Sequence, residues 1–261
     1  HENETSCDFT VTVNDVEPPT ITSCPTSDIT VDNEIGLCEA EVDYGVLIAS
    51  DNCAGVIFTA DTDHDIDGDI FTVGTTPVSF TATDAVGLQT VCSFNVTVND
   101  TELPIANCED ITIQLDAAGS ATIVPDDVFV SATDNCEVDN NSLVIDQTSF
   151  DCSQVGANTV EVSIDDIYGN TGTCTSIVTV EDQVAPIALC QDITVQLDEN
   201  GLGSISTVDI DNGSNDACGI QSLSLDITNF SCTDAGGDNT VRLTVLDNNS
   251  NSSSCTATVT V

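Results

Sequence analysis

The sequence predicts an all-β chain, a tandem array of small, disulfide-stapled β-sandwiches arranged end to end. Three observations predict it. First, one phrase recurs around a cysteine, as CDFTVTV at Cys7, CSFNVTV at Cys92, CTSIVTV at Cys174 and CTATVTV at Cys255, at intervals of 81 to 85 residues. Self-similarity at a fixed period marks a repeat architecture. Second, these phrases alternate with period two: Cys92, Phe94, Val96 and Val98 share one face, and Ser93, Asn95 and Thr97 the other. Third, no stretch sustains a helical period, and turn signals such as Asp67-Gly68, Ala118-Gly119, Gly169-Asn170 and Asn200-Gly201 punctuate short apolar runs. About seven short strands in roughly 82 residues is the layout of an immunoglobulin-like sandwich.

In chain order, residues 1–15 read as the closing strand of a preceding repeat. Repeat one spans 16–100, repeat two 101–182 and repeat three 183–261. Opening strands show the same alternation, with Ile111, Ile113 and Leu115 in repeat two and Ile193, Val195 and Leu197 in repeat three. Short strands are expected at 121–124, 143–146, 159–164 and 241–246. The junctions read VNDVEPP, VNDTELP and VEDQVAP, too short for flexible tethers, so neighbouring repeats must touch. The opening HENETS carries no signal segment, and no apolar run reaches the roughly 20 residues of a membrane span, as expected of an internal stretch of a longer chain.

Each repeat has cysteines at constant places. Cys24, Cys108 and Cys190 form one series, Cys53, Cys136 and Cys218 a second, and Cys92, Cys174 and Cys255 a third. A fourth cysteine moves, being Cys38 in repeat one and Cys152 and Cys232 far downstream in the others. First and last strands run side by side in such sandwiches, so the expected clamps are 24–92, 108–174 and 190–255. The moving cysteine is then expected to pair locally, as 38–53, 136–152 and 218–232, and each closed loop contributes on the order of 3–4 kcal/mol. Cys7 is left over, its partner expected before His1. Without a CxxC, and with only His1 and His64, a zinc site is not indicated.

Composition narrows the function. The chain has no Trp and no Met, so Val, Ile, Thr and Ala must fill thin cores that are marginal alone. Thirteen cysteines acting as staples need an oxidising, extracellular compartment, at or beyond the cell surface. Forty-five carboxylates face one cation, Arg242, for a net charge of −44. That charge argues against nucleic acid and against direct insertion into an anionic membrane. It also repels itself, and hard divalent cations are the natural neutralisers of clustered oxygens. With one Arg, no Lys and no repeat carrying a distinctive polar cluster, no catalytic residues are indicated.

Calcium is the cofactor expected at the junctions. There the entering linker (Asp15, Glu17; Asp100, Glu102; Asp182) meets two acidic loops, one holding Asp51, Asp134 and Asp216, the other Asp84, Asp166 and Asp247. The third junction is expected to be poorer, because Gln183 and Val184 replace the second acidic position. The plainer alternative is that these Asp and Asn residues only cap turns. The run Asp61 to Asp69 imitates a calcium loop with alternate aspartates, but it lacks the closing Glu and flanking helices of an EF-hand.

PPTITSCP (18–25), ASDNCAG (49–55), FTVGTTPVSFTATDAVG (71–87) and TVCSFNVTV (90–98) closely resemble the hyalin repeat, or HYR domain. CQDITVQLDENG (190–201), DACGIQSLSLD (216–226) and CTATVTV (255–261) look like divergent relatives in giant surface proteins of Bacteroidota, of the SprB gliding-adhesin type. The resemblance implies extracellular, non-catalytic, adhesion-related modules. The expected role is a structural stalk or filament segment whose partners are adjacent repeats of the same chain and other copies in a filament. The alternative is a module binding a glycan or protein, although the chain is poor in the aromatics that usually supply such sites.

Overall fold

A computed structural model describes residues 4–60 and 68–261, so the aspartate-rich run is outside the described residues except at Gly68 and Asp69. Contacts group the chain into two units. The first runs to Pro104 and takes in Thr133–Asp139 and Asp165–Thr171; the second holds Ile105–Ala132, Asn140–Ile164 and Gly172–Val261.

In the first unit, a four-stranded sheet orders Ile29–Asp32, Gln89–Asn99, Gly74–Thr83 and Ile57–Ala60 side by side. Facing it is the ribbon Glu39–Val42 with Asp69–Thr72, and a smaller ribbon pairs Thr20–Ile21 with Ala49–Ser50. The first strand of the large sheet runs parallel to its last, with Ile29 opposite Val96. A parallel pair lets the chain enter this sheet at one end and leave at the other. The closing strand keeps the expected alternation, with Cys92, Phe94, Val96 and Val98 buried. They pack with Ala40, Val42, Phe71, Val78 and Phe80 to form the core, and half-buried Tyr44 lies against Phe80 and Phe94 at ring-centroid distances of 5.9 and 5.5 Å. Residues 4–19 form no strand, and Phe9, Val11 and Val13 are exposed. The segment has the alternation of a closing strand, but no sheet among the described residues takes it up.

The second unit contains the same arrangement twice. Ile111–Gln114, Thr171–Glu181, Gly156–Asp165 and Val144–Ile145 form one sheet; Ile193–Thr194, Ser252–Thr260, Asp238–Asp247 and Ile220–Leu225 form the other. Both have the parallel first–last pair, Ile111 opposite Val178 and Ile193 opposite Val259. Their facing ribbons are Ser120–Thr122 with Ser149–Asp151 and Leu202–Ser204 with Asn229–Ser231. One core is Leu115, Ile123, Val128, Phe150, Val160, Val162, Val178 and Val180; the other is Ile205, Ile210, Phe230, Val241, Leu243, Val245, Ala257 and Val259. Each holds a single phenylalanine among aliphatic side chains, as the scarcity of aromatics requires. No helix among the described residues is long and apolar enough to cross a membrane.

Thin cores make each large side chain costly to lose. Phe150→Ala, at a position 2% exposed, is expected to destabilise its sandwich by about 3–5 kcal/mol. Denaturant unfolding of the oxidised chain checks this; a loss below about 1 kcal/mol would show that the core is not what holds the sandwich.

Candidate metal centres and cysteine links at the junctions

The best-defined group lies in the first unit, where the closing strand ends at Asn99 and the chain turns through Asp100. The Asp134 Oδ2 accepts the backbone N–H of Cys136 at 2.9 Å, folding 134–136 into an Asx turn that presents the rest of the carboxylate. Asp100 Oδ1 accepts from the Glu102 N–H at 3.2 Å and from Asn135 Nδ2 at 3.3 Å. Asp100 Oδ2, Asp134 Oδ1 and Asn135 Oδ1 are all buried without a hydrogen-bond partner. One ligand-capable atom from each of Asp100, Asp134 and Cys136 lies within 4.8 Å of the others. Two carboxylate charges that close repel by about 3–4 kcal/mol at an effective dielectric of 20. Burial, and then the charges of Asp100 and Asp166, push the Asp134 carboxyl above its usual range despite the Cys136 N–H.

Asp166 has a different task. Its Oδ1 takes the N–H groups of Tyr168 and Asn170 at 2.8 and 2.9 Å, and its Oδ2 takes Asn170 Nδ2 at 2.6 Å. Burial alone would raise this carboxyl, but the Asn170 and Tyr168 hydrogen bonds outweigh it and hold it below the ordinary value. Asn170 Nδ2 also reaches the Asp100 carbonyl at 3.3 Å, tying the turn to the linker. Asp166 is thus a turn-former whose charge is felt at Asp134.

The pattern recurs. Asp182, Asp216 and Cys218 form an equivalent group in the second unit, with Asp182 Oδ2 buried and unpaired and Asp216 Oδ1 holding the Cys218 N–H at 2.8 Å. Fully buried Asp247 repeats the role of Asp166: Asn251 Nδ2 donates to its Oδ2 at 2.9 Å and to the Asp182 carbonyl at 3.0 Å. Asp15, Asp51 and Cys53 form the third group, where Asp51 Oδ1 holds the Cys53 N–H at 2.7 Å and Asp51 Oδ2 is buried and unpaired. Here Leu88 stands where Asn170 and Asn251 stand, so the nearby Asp84 keeps a buried Oδ2 without a partner. Sequence reasoning missed Asn170 and Asn251, although their constant offset of four residues from Asp166 and Asp247 was visible.

Glu17 and Glu102 lie outside these groups. Glu102 Oε1 accepts from Gly36 N at 2.6 Å and Asn33 Nδ2 at 3.1 Å, and Glu17 Oε2 accepts from Asn52 Nδ2 at 3.0 Å. The second acidic position is therefore not a member of any group among the described residues, and the third group, where Gln183 and Val184 replace it, has the same make-up as the second. The donor set is hard. Cys136 and Cys218 are bound in disulfides, and the Cys53 thiol is pushed up by its hydrogen bond to Asp15, by burial and by the charges of Asp15, Asp51 and Asp84. What remains is carboxylate and amide oxygen, which suits calcium or magnesium rather than zinc.

Cys24 is bonded to Cys92, Cys108 to Cys174 and Cys190 to Cys255. The expected local pairs 38–53, 136–152 and 218–232 are not formed. Cys38 is bonded to Cys136 and Cys152 to Cys218, while Cys7, Cys53 and Cys232 are free and exposed. The moving cysteine does pair with the Asx-turn series, but with the member in the next repeat. The ribbon explains both the move and the partner. Cys38 precedes Glu39 and its carbonyl accepts the Val73 N–H at 3.1 Å, whereas Cys152 follows Asp151, the residue paired with Ser120, so it lies beside Gly119. Cys38 and Gly119 are equivalent, as are Val73 and Cys152: the cysteine has crossed to the neighbouring strand without leaving its place. Gly119 makes room for it, since a Cβ there would sit 2.6 Å from Cys152 Sγ, and its φ of +75° also disfavours any other residue.

Repeated disulfide-bonded sandwiches with acidic junctions define a modular, immunoglobulin-type array. Within it, residues 14–98 match the HYR domain. Over 98% of its length the chain is 30% identical to a hyalin of Strongylocentrotus purpuratus, and over 82% it is 31% identical to a hyalin of Lytechinus variegatus. It spans 22% and 41% of those two proteins. These relatives are sea urchin proteins, and they do not support the kinship with Bacteroidota gliding adhesins expected from repeats two and three. The I-band fragment I67–I69 from titin aligns over 94% of this chain and 99% of its own, at 9% identity and a TM-score of 0.37, which adds nothing to the fold already described.

Non-reducing peptide mapping should recover the 38–136 and 152–218 peptides, and alkylation before reduction should label Cys7, Cys53 and Cys232 alone. Recovery of a 38–53 or 136–152 peptide would restore the local scheme.

Proposed function

We propose that the chain is a non-catalytic, extracellular structural segment of an adhesion-type protein, a stalk or filament whose repeats are braced by disulfides and by calcium. The observation that supports it most is repetition of the junction itself: three times, a linker aspartate and an Asx-turn aspartate converge beside the cysteine of the turn. A binding site or an active site would differentiate one repeat, whereas a load-bearing array uses the same part each time. The five disulfides favour an oxidising compartment. The HYR match at 14–98 and the hyalin relatives favour the adhesion-type reading. Adjacent repeats are the immediate partners, and the charge of −44 keeps nucleic acid and anionic membrane away.

At each junction the cation would be held by the linker and Asx-turn carboxylates, Asp15 with Asp51, Asp100 with Asp134 and Asp182 with Asp216. Bound there, it supplies positive charge to oxygens that lack hydrogen-bond donors. Calcium at about a hundredfold over its Kd should stabilise the occupied junction by about 2.7 kcal/mol. The measurements are calorimetric titration with calcium and thermal unfolding with and without EDTA. Asp100→Asn together with Asp134→Asn should remove the second junction's share. Absence of calcium uptake by the unaltered chain would reduce these groups to solvated turn caps.

The mechanical role rests on the clamps. Each joins the segment just ahead of the first strand of a large sheet to the last strand of that sheet, with sequence separations of 65 to 68 residues. Tension applied at the termini then passes through a covalent bond. Single-molecule stretching should show little lengthening until disulfides are reduced, after which each repeat releases about 20 nm of chain. Extension of oxidised repeats by that length would overturn the stalk reading.

A further inference from the structure

The second and third junction groups share two aspartates and a cysteine, Asp100, Asp134 and Cys136 in one and Asp182, Asp216 and Cys218 in the other. Both cysteines are bonded, and both Asx turns are closed by the cysteine N–H, at 2.9 and 2.8 Å. What separates them is the middle residue of the turn. The second reads Asp-Asn-Cys and the third Asp-Ala-Cys, with Ala217 where Asn135 stands. In the second group Asp100 Oδ2, Asp134 Oδ1 and Asn135 Oδ1 are all buried without a partner, whereas in the third, among the described residues, only Asp182 Oδ2 is.

The surroundings of Asn135 fix which way its amide faces. Nδ2 lies 3.1 Å from the Leu37 carbonyl, 3.3 Å from Asp100 Oδ1 and 3.5 Å from Cys136 Sγ. Turning the amide over would set an oxygen against two oxygens, so Oδ1 is the end left bare. The same hydrogen bond places the amide beside the Asp100 carboxylate, which is only 9% exposed. A proton on Asp134, which its burial favours, supplies one donor and so serves one of the other two oxygens. A divalent cation serves all three at once. An amide oxygen also adds a ligand without adding a third negative charge to two carboxylates that already repel.

We infer that Asn135 Oδ1 is a third protein ligand for calcium at the second junction, beside Asp100 Oδ2 and Asp134 Oδ1, and that the alanine at 217 makes the third junction the weaker site. This deepens the calcium reading of the junctions and rests on it. Calcium accepts about six to eight oxygens of mixed kind, while magnesium keeps most of its waters and takes one or two carboxylates, so a third protein oxygen favours calcium. Between the two binding concentrations the second junction is occupied and the third is not. Rising calcium therefore braces the array one junction at a time.

The test follows two backbone amides of the isotope-labelled 261-residue chain by nuclear magnetic resonance as calcium is added. The Cys136 and Cys218 N–H groups sit on Asp134 and Asp216, so each reports one junction. The Cys136 amide should reach its half-shift at a calcium concentration at least about tenfold below that of Cys218. Asn135→Ala should raise the Cys136 midpoint by about tenfold or more, since even indirect supports of a metal are worth that much, and leave the Cys218 midpoint unmoved. Ala217→Asn should lower the Cys218 midpoint. Asn135→Asp keeps an oxygen but removes the donor to Asp100 and Leu37, so it separates a ligand from a mere support: affinity at Cys136 should be kept or rise. Recovery of the 38–136 peptide from each variant shows that the turn is in place. Equal midpoints in the unaltered chain, an unmoved Cys136 midpoint in Asn135→Ala, an unmoved Cys218 midpoint in Ala217→Asn, or a loss in Asn135→Asp as large as in Asn135→Ala would each overturn the inference. A chain in which neither amide responds to calcium would overturn the calcium reading itself, and this ligand with it.

Discussion

Every part of this chain depends on holding thin aliphatic sandwiches closed at the place where the backbone enters and leaves. The first and last strands of each large sheet run parallel, so their ends point to opposite ends of the sheet and no short turn ties them together. The 24–92, 108–174 and 190–255 disulfides tie the segment just ahead of each first strand to the last strand. By loop-closure entropy each contributes about 4 kcal/mol, comparable with the burial of two aliphatic side chains. In cores with one to three phenylalanines and no tryptophan, that contribution is a large share of what keeps a repeat folded.

The junctions meet a second constraint, that charge has to be managed without cations from the chain itself. Arg242 cannot neutralise three acidic junctions. The fold therefore spends backbone N–H groups and asparagine amides on carboxylates wherever it can, as at Asp166 and Asp247. Oxygens it fails to reach are left buried and bare at Asp51, Asp84, Asp100, Asp134 and Asp182. The bare oxygens belong to aspartates of the linkers and of the turns near them.

Much of the fold was legible because its signals are periodic. The closing phrase around Cys92, Cys174 and Cys255 announces both the alternating strand and its place in the unit, and its constant partner at Cys24, Cys108 or Cys190 announces the clamp. The junction aspartates were legible as a group but not by role. Glu102 looks like a ligand in the linker, yet Gly36 N and Asn33 Nδ2 claim its Oε1, and those partners lie about 66 to 69 residues away, where spacing gives no hint of them. The local disulfides failed for a related reason. Elimination within one repeat assumed that four cysteines form a closed set, whereas Cys38 and Cys136 are 98 residues apart and belong to successive repeats.

The crossing of the staple cysteine from Cys38 to the opposite strand at Cys152 and Cys232 bears on how such arrays diverge. A cross-strand pair in a two-stranded ribbon is one location with two addresses. Exchanging a cysteine–valine pair for a glycine–cysteine pair changes both addresses and leaves the location untouched. Aligned by position, Cys38 and Cys152 look like an unrelated loss and gain. Viewed as a pair, they are one inherited rivet that has changed hands, so descent among such repeats is better traced through paired sites than through columns of single residues.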